Sequence, residues 1–342
     1  MLTAFEQHLK HHFPELYHQK ILLAVSGGLD SMVLVDLCLK SALNISIAHC
    51  NFKLRAEESD AEERFVVDFA KNHNLTVFSE QFNTDKFVEN SKLSVQMAAR
   101  QLRYDFFEQL RTQHHFDTIL TAHHADDNLE TFFINLNRGS GIDGLVGIPE
   151  TNKHIIRPLL PFSRAQILTY ANANAVKWCT DSSNADVKYQ RNHLRHELIP
   201  VLKTIFPSFM DALSTTQVHL KASQNLLRNH IKDVEQQIIE FSNSEEVHYS
   251  IFELKKLQPL SAYLFPLFYP FGFTDYDELF NLVDAQSGKQ IHSSTHTILK
   301  NRSSLILTKK KSNESFYMTI EDKNAFINLD QFGVAGSRTF PE

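Results

Sequence analysis

Cysteine is scarce. The chain has three among 342 residues, Cys38, Cys50 and Cys179, set far apart. That spacing excludes a disulfide scaffold, a C-x-x-C redox pair and a zinc ribbon, and reduced thiols suit a cytosolic protein. Glycine and proline are also few, ten of each, which excludes collagen-like or low-complexity character. No long hydrophobic run is present. The most apolar stretch, Leu260 to Phe273, is too short to span a bilayer and is interrupted by Pro266 and Pro270. The start, MLTAFEQHLKHHFPEL, is charged and lacks the apolar core of a signal peptide. A cytoplasmic protein with no membrane partner is therefore expected. A surplus of positive charge is missing too. With a net charge of −6, any nucleic-acid partner has to be held by a local basic patch.

What is present suits a globular chain. Apolar residues make up 42% and charged residues 22%, enough to bury a core. The length suggests about two domains. Residues 3 to 18 have helical spacing. An apolar strand, Ile21 to Val25, ends at Ser-Gly-Gly, and a helix is expected from Leu29 to Leu39. Strands at Ile45–Cys50, at Leu75–Glu80 and in Asp117-TILTAH alternate with helices at Glu57–Asn72, Ser94–Thr112 and Asp126–Asn137. Strands that are apolar throughout fit a parallel sheet covered on both faces, so the expected fold class is α/β with a doubly wound, Rossmann-like sheet. Its ligand belongs at the carboxyl ends of the strands. Beyond Gly139 the pattern turns to loops and helices, and residues 208 to 241 read as a helical linker. A smaller α+β domain follows, with strands in His292-SSTHTILK and Ser303-SLILTKK. The boundaries read as 1–210, 211–312 and a tail, 313–342.

The strongest chemical signal is Ser26-Gly27-Gly28-Leu29-Asp30-Ser31, between a buried strand and a helix. Two glycines allow a tight turn and close approach to a ligand. The helix start offers unpaired N–H groups and a positive dipole end, and Ser26 and Ser31 add hydroxyls. This is a phosphate site, but neither a Walker A loop nor G-x-G-x-x-G. Asp30 would repel phosphate unless a cation lies between them, which implies Mg²⁺. A Gly-Gly turn with Ser and Asp as helix cap is the plainer alternative. A second cluster, His123-His124-Ala125-Asp126-Asp127-Asn128-Leu129-Glu130, follows the fourth strand. Asp127 and Glu130 share one helical face, where two carboxylates suit an amine ligand. A zinc site, or a polar strand end with Asp126 as N-cap, are the alternatives.

The SGGxDS loop resembles that of the PP-loop ATP pyrophosphatases, which hold the pyrophosphate of ATP while an acceptor attacks the α-phosphate. Three further segments narrow the resemblance. They are Ala122-HHADDNLE-Thr131; Arg138-GSGIDG-Leu145 with Arg157-Pro158-Leu159-Leu160; and Trp178-x-x-Asp181-x-Ser183-Asn184 with Arg191-Asn192-x-x-Arg195 and Ile199-Pro200. Together they are similar to the tRNA(Ile)-lysidine synthetases, closely over about residues 18 to 205 and loosely over the next hundred. The resemblance implies a tRNA-modifying ligase using ATP and Mg²⁺. Its partners would be isoleucine tRNA with a CAU anticodon and free L-lysine, and a homodimer is allowed. It implies that the wobble cytidine is adenylated and that lysine then displaces AMP.

Site residues carry over as follows. ATP would be held by Ser26, Gly27, Gly28, Leu29, Asp30, Ser31, His49, Arg100, His123 and Arg191, with Mg²⁺ on Asp30. Asp30, Asp127 and Glu130 would be catalytic, and Asp127, Glu130 and Arg103 would take lysine. The family's H-G-L-R-like loop here reads His49-Cys50-Asn51-Phe52-Lys53-Leu54-Arg55, a departure. Arg195 and a basic segment with Lys300, Arg302, Lys309, Lys310 and Lys311 would meet the tRNA. No acidic residue interrupts that segment between Asp284 and Glu314. Surface arginines and a solvated strand face remain the bland readings of these cations. Another PP-loop ligase, or a tRNA thiolase, is the alternative enzyme. A thiolase needs a reactive cysteine pair or a C-x-x-C, and only folding could bring Cys50 and Cys179 together. Relatives usually continue beyond this length, so either the tail begins a further C-terminal domain or the chain is a short member of the family.

Overall fold

The computed structural model describes residues 1–55, 57–180 and 190–310. Asp181, Ser183, Asn184, Lys311 and the expected tail lie outside the described residues. Two compact units separate at Leu226 and Leu227.

The first unit opens with helix α1 (Leu2–His12), which ends where Phe13 and Pro14 lead into a 3-10 turn, Pro14–His18. Proline lacks the N–H that would continue the ladder, so the expected single helix over 3 to 18 is two pieces. Then follow β1 (Ile21–Ala24), α2 (Leu29–Lys40), β2 (Ile45–Asn51), α3 (Glu57–Asn72) and β3 (Val77–Gln81). Next come α4 (Thr84–Ser91), α5 (Val95–His114), β4 (Thr118–Leu120), α6 (Ala125–Asn137) and the short α7 (Ile142–Leu145). The hairpin β5 (Thr151–Asn152) and β6 (Ile155–Ile156) precedes α8 (Arg164–Ala173). Helix α9 (Gln190–His193) runs through a π-helical turn, Leu194–Leu198, into α10 (Ile199–Ile205) and the long α11 (Phe209–Ile238), whose residues from Leu227 on belong to the second unit.

The sheet order is β3-β2-β1-β4-β6-β5. All pairs are parallel except the β5–β6 edge. Successive β1 side chains point to opposite faces. Ile21 and Leu23 pack with Phe5, Met32 and Ile167 from α1, α2 and α8. Leu22 packs with Phe106, Phe107 and Leu110 from α5. Helices therefore cover both faces, as a doubly wound sheet requires. Strand order reverses at β1, with β2 on one side and β4 on the other. That switch point opens a crevice at the carboxyl ends of β1 and β4.

The second unit is a five-stranded antiparallel sheet, β7 (Ile239–Ser242), β8 (Glu246–Ser250), β9 (Gln290–His292), β10 (His296–Lys300) and β11 (Ser304–Lys309), in the order β7-β8-β11-β10-β9. Helices α12 (Ile251–Leu254), α13 (Leu260–Phe268) and α14 (Tyr276–Val283) join its strands. Tyr249, Phe268, Leu282 and Ile298 lie in its core. Among the described residues no helix is long and apolar enough to cross a membrane.

Candidate active site

The Ser26–Ser31 loop sits at the end of β1, beside the crevice. Gly27 has φ +91°, and a Cβ there would meet Val66 of α3 at 3.3 Å. Only glycine adopts that left-handed backbone without strain. The loop is tied by its own serines. Ser31 donates its hydroxyl to the Gly28 carbonyl at 2.9 Å, and the Ser26 and Ser31 hydroxyls lie 3.2 Å apart. Helix α2 starts after Gly28 with no side-chain cap. Its first N–H groups therefore stay open to an anion.

A cavity of about 360 Å³ joins this loop to the second motif. Ser26, Asp30, Ser31, Arg103, His123, Asp127 and Arg191 line it, which brings together seven residues singled out in the sequence. Tyr104, Phe52, Phe107, Cys50 and Thr121 also line it. Arg103 lies over the Phe52 ring at 5.4 Å. The volume falls in the range of small-ligand pockets. A second cavity of about 440 Å³ shares Ser26, Asp30, Arg55 and Glu62 with the first and adds Arg164, Trp178 and Arg195.

Other candidates lie off the wall. His49 is buried, with Nδ1 2.9 Å from the Val25 carbonyl, and burial pushes its imidazole below the usual value. It braces the end of β1. Arg100 is exposed, its guanidinium 4.8 Å over the Tyr104 ring. Glu130 is wholly buried, where Arg195 holds both its oxygens at 2.7 and 3.2 Å. Burial raises its carboxyl above the ordinary range, and Arg195 offsets part of that rise. Arg195 also reaches Asp127 at 3.4 Å. The π-helical turn, an irregularity common at functional sites, carries it. Arg191, which does line the cavity, donates to the Thr131 hydroxyl at 3.0 Å.

The cap of α6 is His124 rather than Asp126. Its ring accepts from the Asp127 N–H, and Asp127 Oδ2 accepts from the His124 N–H at 3.0 Å. Asp126 turns to other elements, accepting from the Arg164 backbone N–H at 2.8 Å and from the Lys203 ammonium. It clasps α8 and α10 to α6. His124 Nε2 lies 3.6 Å from Asp30 Oδ2 and 3.5 Å from Asp127 Oδ2. Burial lowers the His124 pKa, but Asp30, Asp127 and Asp126 outweigh it and keep the ring above its usual value.

Asp30 Oδ1 is buried and has no hydrogen-bond partner among the described residues. A lone-pair donor left open at a phosphate loop fits Mg²⁺, which takes one or two carboxylates and completes its shell with phosphates and water. No group of three or more His, Cys, Asp or Glu side chains among the described residues could hold a metal by itself.

The three cysteines are free. Cys50 and Cys179 line different cavities, and burial pushes the Cys50 thiol up to about 12. Neither forms the pair that thiolation needs.

In the second unit, Arg302, Lys309 and Lys289 are exposed. Lys300 is buried and donates to the Asn301 carbonyl at 2.8 Å, and Lys310 donates to the Ser293 carbonyl at 2.6 Å.

Residues 1–202 match the PP-loop domain family. Fold, loop and match together define a PP-loop enzyme that uses ATP. Residues 242–310 match the TilS substrate binding domain. The tRNA(Ile)-lysidine synthase of Bacteroides thetaiotaomicron is 35% identical over 312 residues, covering 90% of this chain and 72% of the relative. That of Porphyromonas gingivalis strain W83 is 34% identical over 316 residues, covering 90% and 68%. The chain belongs to the tRNA(Ile)-lysidine synthase family and is a tRNA-modifying ligase. Among solved structures, the U34-tRNA thiolase NcsA of Methanococcus maripaludis aligns with a TM-score of 0.52 at 15% identity, covering 64% of this chain and 79% of the other. That likeness concerns the fold alone.

Proposed function

We propose that the chain joins free L-lysine to the wobble cytidine of isoleucine tRNA with a CAU anticodon, at the expense of ATP. The observation that carries this reading is the cavity shared by the Ser26–Ser31 loop and the His123–Asp127 cluster. It sets a pyrophosphate cradle beside a carboxylate suited to an amine. Ser26, Ser31 and the first backbone N–H groups of α2 hold the pyrophosphate end of ATP. The C2 oxygen of cytosine attacks the α-phosphorus, and the bond to pyrophosphate breaks. The ε-amine of lysine then attacks C2, AMP departs and the amine loses a proton. Only the neutral amine is nucleophilic, so Asp127, at the cavity wall, is placed to orient the amine and take that proton. Asp30 would hold Mg²⁺, which would supply charge neutralisation on the phosphates. The cytosine has to leave the anticodon stack for its C2 to be reached.

The test is pyrophosphate release by the full chain, measured with and without unmodified tRNA and lysine. Release is expected only with the tRNA, and conversion of cytidine to lysidine only with both. Release that ignores tRNA overturns the reading in favour of a ligase acting on a small molecule.

The second unit is proposed to grip the tRNA backbone through Arg302, Lys309 and the lysines beside it. Changing Lys309, Lys310 and Lys311 to Ala should weaken tRNA binding and flatten its salt dependence by about one unit of slope per lost phosphate contact. ATP affinity should hold. Lys300 is left out because it is buried in the unit, whereas Lys309 and Lys310 are exposed. A variant with the parent's affinity and slope would reduce the patch to a solvated strand face.

A further inference from the structure

We propose that His123 meets an anionic oxygen of the nucleotide as a neutral Nε2–H donor, and that Thr121 is the positioning residue that sets this tautomer. The inference rests on the reading that the cavity holds ATP.

Thr121 follows β4 directly, and its backbone N–H donates to the Ile156 carbonyl at 3.1 Å, so the residue is fixed to the sheet. Its side chain is buried at the cavity wall. The Thr121 hydroxyl lies 3.0 Å from His123 Nδ1. A neutral imidazole has one N–H and one lone pair. If Nδ1 carried the proton, the hydroxyl would accept it and would need another acceptor for its own hydrogen. Among the described residues it has none. If the hydroxyl donates instead, Nδ1 accepts and the proton resides on Nε2. One donor is left over in either tautomer, and on Nε2 it belongs to the half-buried ring at the cavity wall rather than to the buried hydroxyl. Nε2 has no hydrogen-bond partner among the described residues, and the ring lines the cavity. A donor spared in this way is available to a ligand.

The surroundings keep the ring neutral. Its pKa is brought down to about 4, chiefly by burial, with the cations Arg157, Arg191 and Arg100 adding to the fall and Asp127 opposing it. A neutral imidazole gives a hydrogen bond without surrendering its proton, the role that neutral histidine plays toward a developing oxyanion. As pyrophosphate leaves, negative charge gathers on the phosphate oxygens, and a fixed N–H aimed there stabilises it. His123 makes and breaks no covalent bond in this role.

The experiment uses the full chain with ¹⁵N-labelled histidine. The His123 signals are assigned by their loss in His123→Asn. Before ATP is added, the parent should show a protonated Nε2 and an unprotonated Nδ1. Thr121→Val keeps the shape and removes the hydroxyl, so the two tautomers should mix. Single-turnover adenylation should then slow about tenfold, the loss expected from one hydrogen bond, while the KM for ATP moves less than about threefold. Thr121→Ser should restore both tautomer and rate, which a merely structural role would not require. A proton on Nδ1 in the parent overturns the proposal, as does a Thr121→Val variant with parental tautomer and rate. ATP should shift the His123 signals. If it does not, the placement of the nucleotide fails and the donor role with it. Because the tautomer is read before ATP, the two failures are distinguishable.

Discussion

Asp30→Ala should abolish pyrophosphate release and leave the fold standing. Asp30 lies in the first turn of α2, its side chain about a third exposed, with Oδ1 unpartnered and Oδ2 beside His124. It contributes nothing to the two apolar clusters that hold the sheet between its helices. The thermal midpoint should therefore shift only slightly, as for an ordinary surface change of about 0.5 kcal/mol. The catalytic loss should be large. A metal that neutralises charge on the phosphates supplies several kcal/mol of transition-state stabilisation, so a fall of at least about a thousandfold is expected. Asp30→Asn should fall nearly as far, because an amide oxygen is a poor substitute for a carboxylate at Mg²⁺. Mg²⁺-dependent binding of ATP, measured by calorimetry, should weaken in both variants. Pyrophosphate release near the parent's rate at ordinary Mg²⁺ would sink the assignment of Asp30.

Much of this arrangement is legible in the chain, for physical reasons. A strand buried on both faces has to be apolar throughout, and Asp30 and Ser31 after the Gly-Gly turn set it apart from an ordinary helix cap, so β1, the loop and α2 are read directly. The roles of charged residues are not. Arg191 and Arg195 lie one turn apart and read as contacts of ATP and of tRNA. Folding brings both toward Glu130, 60 or so positions away, and spacing within one helix carries no record of that partner. Asp126 and Asp127 are adjacent and chemically equal in sequence. One clasps α8 and α10, while the other faces the cavity. The aromatic wall of Phe52, Tyr104 and Phe107 reads as ordinary core by periodicity. Two signals were available. Lys300 lies two places from the buried Ile298 on β10, so strand alternation already assigns it to the inner face. Thr121 is a polar residue just past a parallel strand, where doubly wound folds gather their sites.

Asp127→Asn and Glu130→Gln should behave differently, although the two carboxylates sit one turn apart on α6. Asp127 lines the cavity, with its side chain 17% exposed. Replacing it keeps the shape and removes the charge. Adenylation and pyrophosphate release should continue. The second step should then need about tenfold to a hundredfold more lysine, since a charge-assisted hydrogen bond is worth roughly 1.5–3 kcal/mol. Glu130 is absent from the cavity wall and fully buried against Arg195. Removing its charge strands a guanidinium in a poorly hydrated site. Breaking one side of a buried pair costs about 3–5 kcal/mol, and the partial exposure of Arg195 argues for the lower end. The unit should melt earlier, and Arg195, released from its carboxylate, should no longer be held near the reacting centre. Both steps should slow together. A matched pair of apolar residues at positions 130 and 195 should recover most of the lost stability and none of the activity. Single-turnover kinetics with the two steps resolved, set beside thermal melts, decide the matter. If both variants lose adenylation and keep the parent's lysine dependence, neither carboxylate meets lysine. If Glu130→Gln melts with the parent and changes only the lysine requirement, Glu130 is a ligand after all and the ion pair opens to receive the amine.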